Sequence, residues 1–266
     1  MDVAALFDLT GRTALVTGGA AGVGAMASEA LAAAGARVLI ASRKGAACEA
    51  FAKTLPQAEG FSGDVATEEG VAALTAAVMA RTDRLDILVN NAGRSYGAPL
   101  GQVPFASFER VMALNVAGLF ALTQALLPAL GRAATDGRPA RVINIGSVMG
   151  EAPLGDEAYS YAASKAAVHH LTRILAKELA AARILVNALA PGPFPSKMTA
   201  FATADPGTAA AVAGDVPVGR LGQPSDIAAA LLYLCGDGGS YVTGAVLPVS
   251  GGINVATGPA IFGAAR

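Results

Sequence analysis

One stretch near the N-terminus narrows the possible folds more than any other. Arg12-Thr13-Ala14-Leu15-Val16-Thr17 is a short apolar run rich in β-formers, and it ends in Gly18-Gly19-Ala20-Ala21-Gly22-Val23-Gly24. Small helix-forming residues follow up to Ala34-Gly35, and Arg37-Val38-Leu39-Ile40-Ala41 reads as a second strand. Strand, glycine turn, helix and strand within roughly thirty residues make a βαβ unit of the dinucleotide-binding kind. Glycines at such a turn let the backbone approach a pyrophosphate, whose charge the helix N-terminus favours. The spacing, Thr17-Gly18-x-x-x-Gly22-x-Gly24, carries one residue more between the first two glycines than the usual fingerprint.

The alternation continues along the chain. Helix is expected over Gly45–Leu55, Glu68–Arg81, Phe105–Asn115, Gly118–Leu130 and Ser225–Leu234, with a long helix around Tyr161 ending near Ala181. Strands are expected at Glu59–Ser62, Asp86–Asn90, Arg141–Ile145, Arg183–Ala188 and Val246–Val249. Gly131–Pro139 reads as a polar loop, and the segment after Ala188 as irregular. Seven strands separated by helices predict an α/β fold, a doubly wound, Rossmann-type parallel sheet with helices on both faces. No repeat or linker interrupts it, so residues 1–266 are expected to form one domain.

Composition excludes several function classes. With 53% hydrophobic and 15% charged residues the chain suits a packed globule, not a disordered one. Nineteen Lys and Arg against twenty Asp and Glu leave a net charge of -1, with no basic face for nucleic acid. The apolar stretch Leu114–Leu130 contains Asn115, Gln124 and Pro128, so it reads as a buried helix and no membrane partner is expected. No cleavable leader pattern opens the chain. Cys48 and Cys235, in different elements, read as reduced, buried thiols in a cytoplasmic protein.

The end of the second strand reports on the ribose of a bound dinucleotide. A carboxylate there would take the 2′-hydroxyl of NAD. Here Ala41-Ser42-Arg43-Lys44 stands instead, and no acidic residue occurs before Glu49. Ser42 can hydrogen-bond a 2′-phosphate and Arg43 can pair with it, which favours NADP(H) over NAD(H). Further on, Tyr159-Ser160-Tyr161-Ala162-Ala163-Ser164-Lys165 lies in the long helix. Tyr161 and Lys165, four apart, share one face. The ammonium is expected to lower the pKa of the phenol from its ordinary ~10.

Thr17-Gly18-x-x-x-Gly22-x-Gly24, Asn90-Asn91-Ala92-Gly93, Ser147, Tyr161-x-x-x-Lys165 and Pro191-Gly192 occur in this order. From about Leu9 to Gly252 the chain resembles the short-chain dehydrogenase/reductases. The stretches Arg141–Ser147 and Leu175–Leu179 are most similar to the bacterial NADPH-dependent 3-oxoacyl reductases of the rhamnolipid-associated type. The resemblance implies a catalytic set of Asn115, Ser147, Tyr161 and Lys165. It implies cofactor contacts from Gly18, Gly22, Val23, Gly24, Ser42, Arg43, Asp64, Val65, Asn91, Ala92, Gly93, Tyr161, Lys165, Pro191, Gly192 and Ser196. Asp64 reads, unaided, as a helix cap before Glu68. The family places basic residues inside the glycine turn of many NADP-preferring members, and Ala20-Ala21 depart from that.

The implied reaction is hydride transfer between NADP(H) and a carbonyl or secondary alcohol. Tyr161 would be the general acid and Ser147 the donor that positions the oxygen. Lys165 would hold the ribose and tune Tyr161, and Asn115 would hold a water that resupplies the proton. Residues 194–218 would form a lid, with Met149, Tyr159, Phe194 and Met198 lining the substrate and Phe201 on the same apolar side. That composition points to a 3-oxoacyl or other apolar ketone as the small-molecule partner. The alternatives are a polyol, sugar-acid or steroid dehydrogenase, and, in another class, a non-catalytic NADP(H)-binding redox sensor that would need no proton relay. No metal is expected: His169 and His170 lack partners at ligand spacing and read as structural or interfacial. The family implies a homo-oligomer, tetramer or dimer, with residues 251–266 irregular or tucked into a neighbour.

Overall fold

The computed structural model describes residues 2–154, 157–196 and 198–255, with backbone alone at 201–202. The expectations for residues 256–266 and for the Phe201 side chain lie outside the described set. Seven strands, β1 (Thr13–Thr17), β2 (Arg37–Ser42), β3 (Ala58–Ser62), β4 (Ile87–Asn90), β5 (Ala140–Ile145), β6 (Ile184–Pro191) and β7 (Val246–Val249), form one sheet in the order β3-β2-β1-β4-β5-β6-β7. Every neighbouring pair is parallel. The chain winds outward in one direction from β1 and in the other from β4. Their C-terminal ends therefore flank the crevice where ligands bind in such sheets.

Alternate strand residues feed two cores. Leu15, Leu39 and Leu88 face α3 (Glu68–Met79), α5 (Leu119–Ala133) and α6 (Tyr159–Leu179), through Leu74, Leu122, Leu126 and Leu175. Val16, Ile40 and Val89 face α1 (Gly22–Ala33), α2 (Gly45–Ala52) and α9 (Pro224–Cys235), through Leu31, Cys48, Leu231 and Leu234. Helices cover both faces, so the central strands are apolar on both sides. Cys48 and Cys235 are free and buried in this second core.

Three buried asparagines on the strands add polar ties. Asn90 Nδ2 donates to Thr123 Oγ1 (2.9 Å) and Asn144 Oδ1 (3.0 Å), and Asn144 Nδ2 donates to Thr172 Oγ1 (2.9 Å). This ladder locks β4 and β5 to α5 and α6, which carry the candidate site. Asn187 likewise fastens β6 to Val242 and Ala245. At the opposite end of the sheet the buried Arg141 guanidinium caps the C-terminus of α9 through the carbonyls of Leu234 and Gly236.

Several boundaries differ from expectation. Thr67, not Asp64, caps α3: Thr67 Oγ1 accepts from Gly70 N at 3.1 Å, while Asp64 Oδ1 closes a local turn with Ala66 N. The two helices expected around residues 105–130 are continuous: α4 (Phe105–Met112), a π-helical segment (Ala113–Gly118) and α5. This run is long and apolar enough to span a membrane by length and composition. In the fold its Val111, Leu114, Leu122, Leu126 and Leu130 are buried in the protein. The helix also takes up Gly131–Ala133, where a loop was expected. The segment expected to be irregular holds two short helices, α7 (Ala200–Thr203) and α8 (Pro206–Asp215). Asp205 caps α8 by accepting from Thr208 N at 2.8 Å, and Pro206 takes the first turn, where no N–H is needed.

Candidate active site

The glycine turn and the turn after β4 are stapled together at the crevice. Thr17 Oγ1 accepts from both Asn91 N and Ala92 N at 3.0 Å, and Asn91 Nδ2 donates to the carbonyls of Thr17 (2.9 Å) and Gly18 (3.2 Å). Gly18 and Gly22 lie at φ +64° and +53°, where a side chain would be strained. A Cβ on Gly24 would collide with the Gly18 carbonyl and the Asn91 amide. One on Gly22 would come within 3.2 Å of Ser196 Cβ, so the segment after β6 lies over this turn. The result is a backbone cradle at a helix N-terminus, the shape and polarity a pyrophosphate needs.

At the end of β2, Arg43 and Lys44 are exposed, and the Arg43 side chain has no protein partner among the described residues. Ser42 Oγ accepts from Lys44 N at 3.2 Å and touches Cys48 Sγ at 3.0 Å. The hydroxyl is thus held in place beside a free guanidinium, with no carboxylate in the loop. Asp64 follows Gly63, whose N donates to Ser42 O at 3.0 Å. Val65 turns its side chain into the core, leaving only its backbone for a ligand.

Ser147 follows β5, and Tyr161 and Lys165 rise from α6 beside it. The Ser147 hydroxyl accepts from Met149 N at 3.2 Å and neighbours the Tyr161 phenol. Lys165 is 5% exposed, and its Nζ lies 5.5 Å from the Tyr161 ring centre and donates to Ile145 O at 2.7 Å. An ammonium has three donors, so two remain after this bond. Burial pushes the Lys165 pKa down to about 8. It also pushes Tyr161 up, against a smaller lowering by the neighbouring Ser147 hydroxyl. The expected net lowering of Tyr161 is therefore corrected: burial is the larger cause and the net direction is upward. The phenol stays protonated at neutral pH, the state a proton donor requires.

Asn115 sits in the π-helical segment, 2% exposed. Its Oδ1 accepts from Arg94 N (2.9 Å), and its Nδ2 donates to Arg94 O (3.0 Å) and Ser164 Oγ (2.9 Å). Ser164 Oγ in turn donates to Tyr161 O at 2.7 Å. Both side-chain amide protons are used in bracing the turn after Gly93 against α6. Ser164, which no motif singled out, is the link.

Met149 is partly exposed beside Ser147, and Tyr159 and Met198 are exposed at 39% and 45%. Phe194 does not line an open mouth. It is 3% exposed, its ring fills the space in front of Gly222, and it borders a cavity of about 270 Å³ with Val218, Arg220, Pro248 and Ser250. An aromatic ring at the start of a three-proline loop is worth more packed than solvated. Pro191 ends β6, and Gly192 N donates to Val249 O at 3.0 Å, with Ser250 close against it. His170 is exposed, whereas His169 is buried directly beneath the Ser147 turn. Among the described residues no cluster of His, Cys, Asp and Glu could hold a metal.

A family profile described as enoyl-(acyl carrier protein) reductase matches residues 18–254. The rhamnolipids biosynthesis 3-oxoacyl-[acyl-carrier-protein] reductase of Pseudomonas aeruginosa is 46% identical over 252 residues, covering 94% of this chain and 98% of its own. The galactitol 2-dehydrogenase (L-tagatose-forming) of Cereibacter sphaeroides is 39% identical over 258 residues, covering 96% and 100%. The solved Pseudomonas aeruginosa RhlG/NADP active-site complex matches with a TM-score of 0.91 at 46% identity, over 94% of this chain and 99% of that one. Sheet order, ordered motifs and these matches agree, and the chain belongs to the short-chain dehydrogenase/reductase family of oxidoreductases.

Proposed function

We propose that this enzyme uses NADPH to reduce the keto group of a 3-oxoacyl or similar apolar substrate, reversibly. The observation that carries the reading is the buried Lys165 ammonium, with two unspent donors, set beside a Tyr161 kept protonated by burial and neighboured by Ser147. Leaving a charged donor short of partners in a protein interior is costly. Ribose hydroxyls at that position would supply the missing acceptors. Gly18, Gly22, Val23 and Gly24 would cradle the pyrophosphate under Ser196, and Asn91, Ala92 and Gly93 would border the path to the nicotinamide, with Pro191 and Gly192 beside it. Ser42 and Arg43 would take the 2′-phosphate, and Asp64 with the Val65 backbone the adenine.

When bound, NADPH supplies the hydride that reduces the carbonyl carbon. Tyr161 gives its phenolic proton to the oxygen, so that C=O becomes CH–OH. Ser147 donates a hydrogen bond to the same oxygen where negative charge develops. Lys165 holds its positive charge next to the phenolate that results, and solvent returns the proton. Asn115 and Ser164 keep α6 at a fixed distance from the turn after β4. Residues 194–218, with α7 and α8, would act as the lid of a single catalytic domain spanning residues 1–266.

The 46% identity to a 3-oxoacyl reductase supports the acyl substrate, and the exposed Met198 and partly exposed Met149 offer it apolar surface. The 39% identity to a galactitol dehydrogenase keeps a polyol reading in view. A panel of 3-oxoacyl thioesters, diketones, keto sugars and steroids, followed by NADPH oxidation, decides between them. The acyl reading predicts the highest kcat/KM on a 3-oxoacyl thioester; a keto sugar or steroid in first place overturns it. Binding of NADPH with no turnover on any of them would favour the redox-sensor alternative. Exposed Phe105, Phe120 and Ile174 on α4, α5 and α6 support assembly into a dimer or tetramer, which light scattering would read directly. Two free thiols fit a cytoplasmic setting.

A further inference from the structure

We propose that His169 is a positioning residue for Ser147, fixing the backbone from which the serine hydroxyl reaches the substrate oxygen. The inference rests on the reading of Ser147 given above. His169 lies one helical turn after Lys165 on α6 and is 3% exposed. Its Nε2 accepts from Ser147 N at 3.4 Å, a long bond, yet the sole protein partner of that buried N–H among the described residues. An N–H buried without an acceptor costs about 1–3 kcal/mol, so a position opposite it selects for a lone pair. Accepting at Nε2 places the ring proton on Nδ1, which faces Glu151 Oε1 at 3.9 Å.

Two glycines make room for this imidazole. A Cβ on Gly146 would collide with His169 Nε2, and one on Gly150 would come within 2.8 Å of His169 Cε1. The ring is therefore wedged against both ends of the turn that carries Ser147, from Gly146 at its entry to Gly150 at its exit. Ser147 Oγ is itself tied to Met149 N inside the same turn. Displacing the imidazole loosens all three points at once, and near-attack geometry is sensitive to displacements of about 1 Å. Burial, together with the cations of Arg173 and Lys165, holds His169 down to about 4, so the acceptor lone pair is present throughout the neutral range. No motif marks this residue, because its role is set by contact with a turn 22 positions earlier.

A double-mutant cycle on the full-length enzyme with NADPH and a 3-oxoacyl thioester tests this. His169→Leu should lower kcat about 10-fold or more, with the Kd for NADPH within about 2-fold of the parent. In a Ser147→Ala background the same change should cost less than about 2-fold. His169→Gln, which keeps an acceptor at the Nε2 position, should restore most of the loss. Equal losses in both backgrounds, or a loss confined to stability, overturn the proposal. If the leucine variant does not fold, His169→Met against His169→Gln runs the same comparison. Full turnover by Ser147→Ala alone would instead overturn the role given to Ser147 under the proposed function.

Discussion

Replacing Lys165 by Met should stabilise the cofactor-free protein while removing its activity. Lys165 is 5% exposed, no salt bridge to it is present among the described residues, and one carbonyl takes one of its three protons. Burial moves its pKa from an ordinary 10.5 to about 8. At about 1.4 kcal/mol per pKa unit, the ammonium destabilises the fold by about 3 kcal/mol at pH 7. Met fills a similar volume, keeps helix propensity and carries no charge. With a urea m-value of ~3 kcal/mol per molar, the midpoint should rise by roughly 1 M at fixed protomer concentration. The sign with pH follows from the depressed folded pKa. The penalty is fully present below pH 8 and is relieved as pH rises toward 10.5, because there the unfolded chain holds the proton and the folded one does not. The gap between the two proteins should therefore shrink by about 2 kcal/mol between pH 7 and 9.5. A Met variant less stable than the parent, or a gap that does not change with pH, would refute the reasoning.

Other outcomes follow from the same geometry. Arg43→Ala should raise the KM for NADPH about 10-fold or more while leaving the KM for NADH within about 2-fold, measured by steady-state kinetics with each cofactor. Thr17→Val strands the N–H groups of Asn91 and Ala92, and chemical unfolding should show a loss of about 2–3 kcal/mol. His169, held down to about 4 against its ordinary 6.5, gives the acid limb of stability: the unfolded chain protonates first, so stability falls as pH drops from 6.5 toward 4. Between pH 7 and 5 this amounts to about 2 kcal/mol, and in His169→Gln that component should vanish from the pH series.

Most of the fold is legible in the sequence because its signals are local. Every strand but β3 (Ala58-Glu59-Gly60-Phe61-Ser62) is rich in β-branched and aliphatic residues, and the glycine turn, the Asn91 turn and the Tyr161 helix each sit at a strand or helix end with its own chemistry. The π-helical segment at Ala113–Gly118 is not legible, since shifting the helical hydrogen bonds leaves the apolar pattern unbroken. The helix α8 carried readable signals, Asp205 as cap and Pro206 in the first turn, but its alanines lack an apolar stripe and so no helical period. The pKa of Tyr161 depends on how deeply α6 is buried, which four-residue spacing cannot report. His169, Ser164 and the burial of Phe194 are all contacts between segments far apart in the chain, and only the folded structure brings them together.

The account rests on Tyr161 as the proton donor. Single-turnover NADPH oxidation by Tyr161→Phe on a 3-oxoacyl thioester, with NADPH affinity measured alongside, tests this most directly. The account predicts a rate lowered about 100-fold or more with the Kd for NADPH unchanged within about 2-fold, since the variant keeps Lys165 and the glycine cradle intact. Turnover at the parent rate with normal NADPH binding would contradict it.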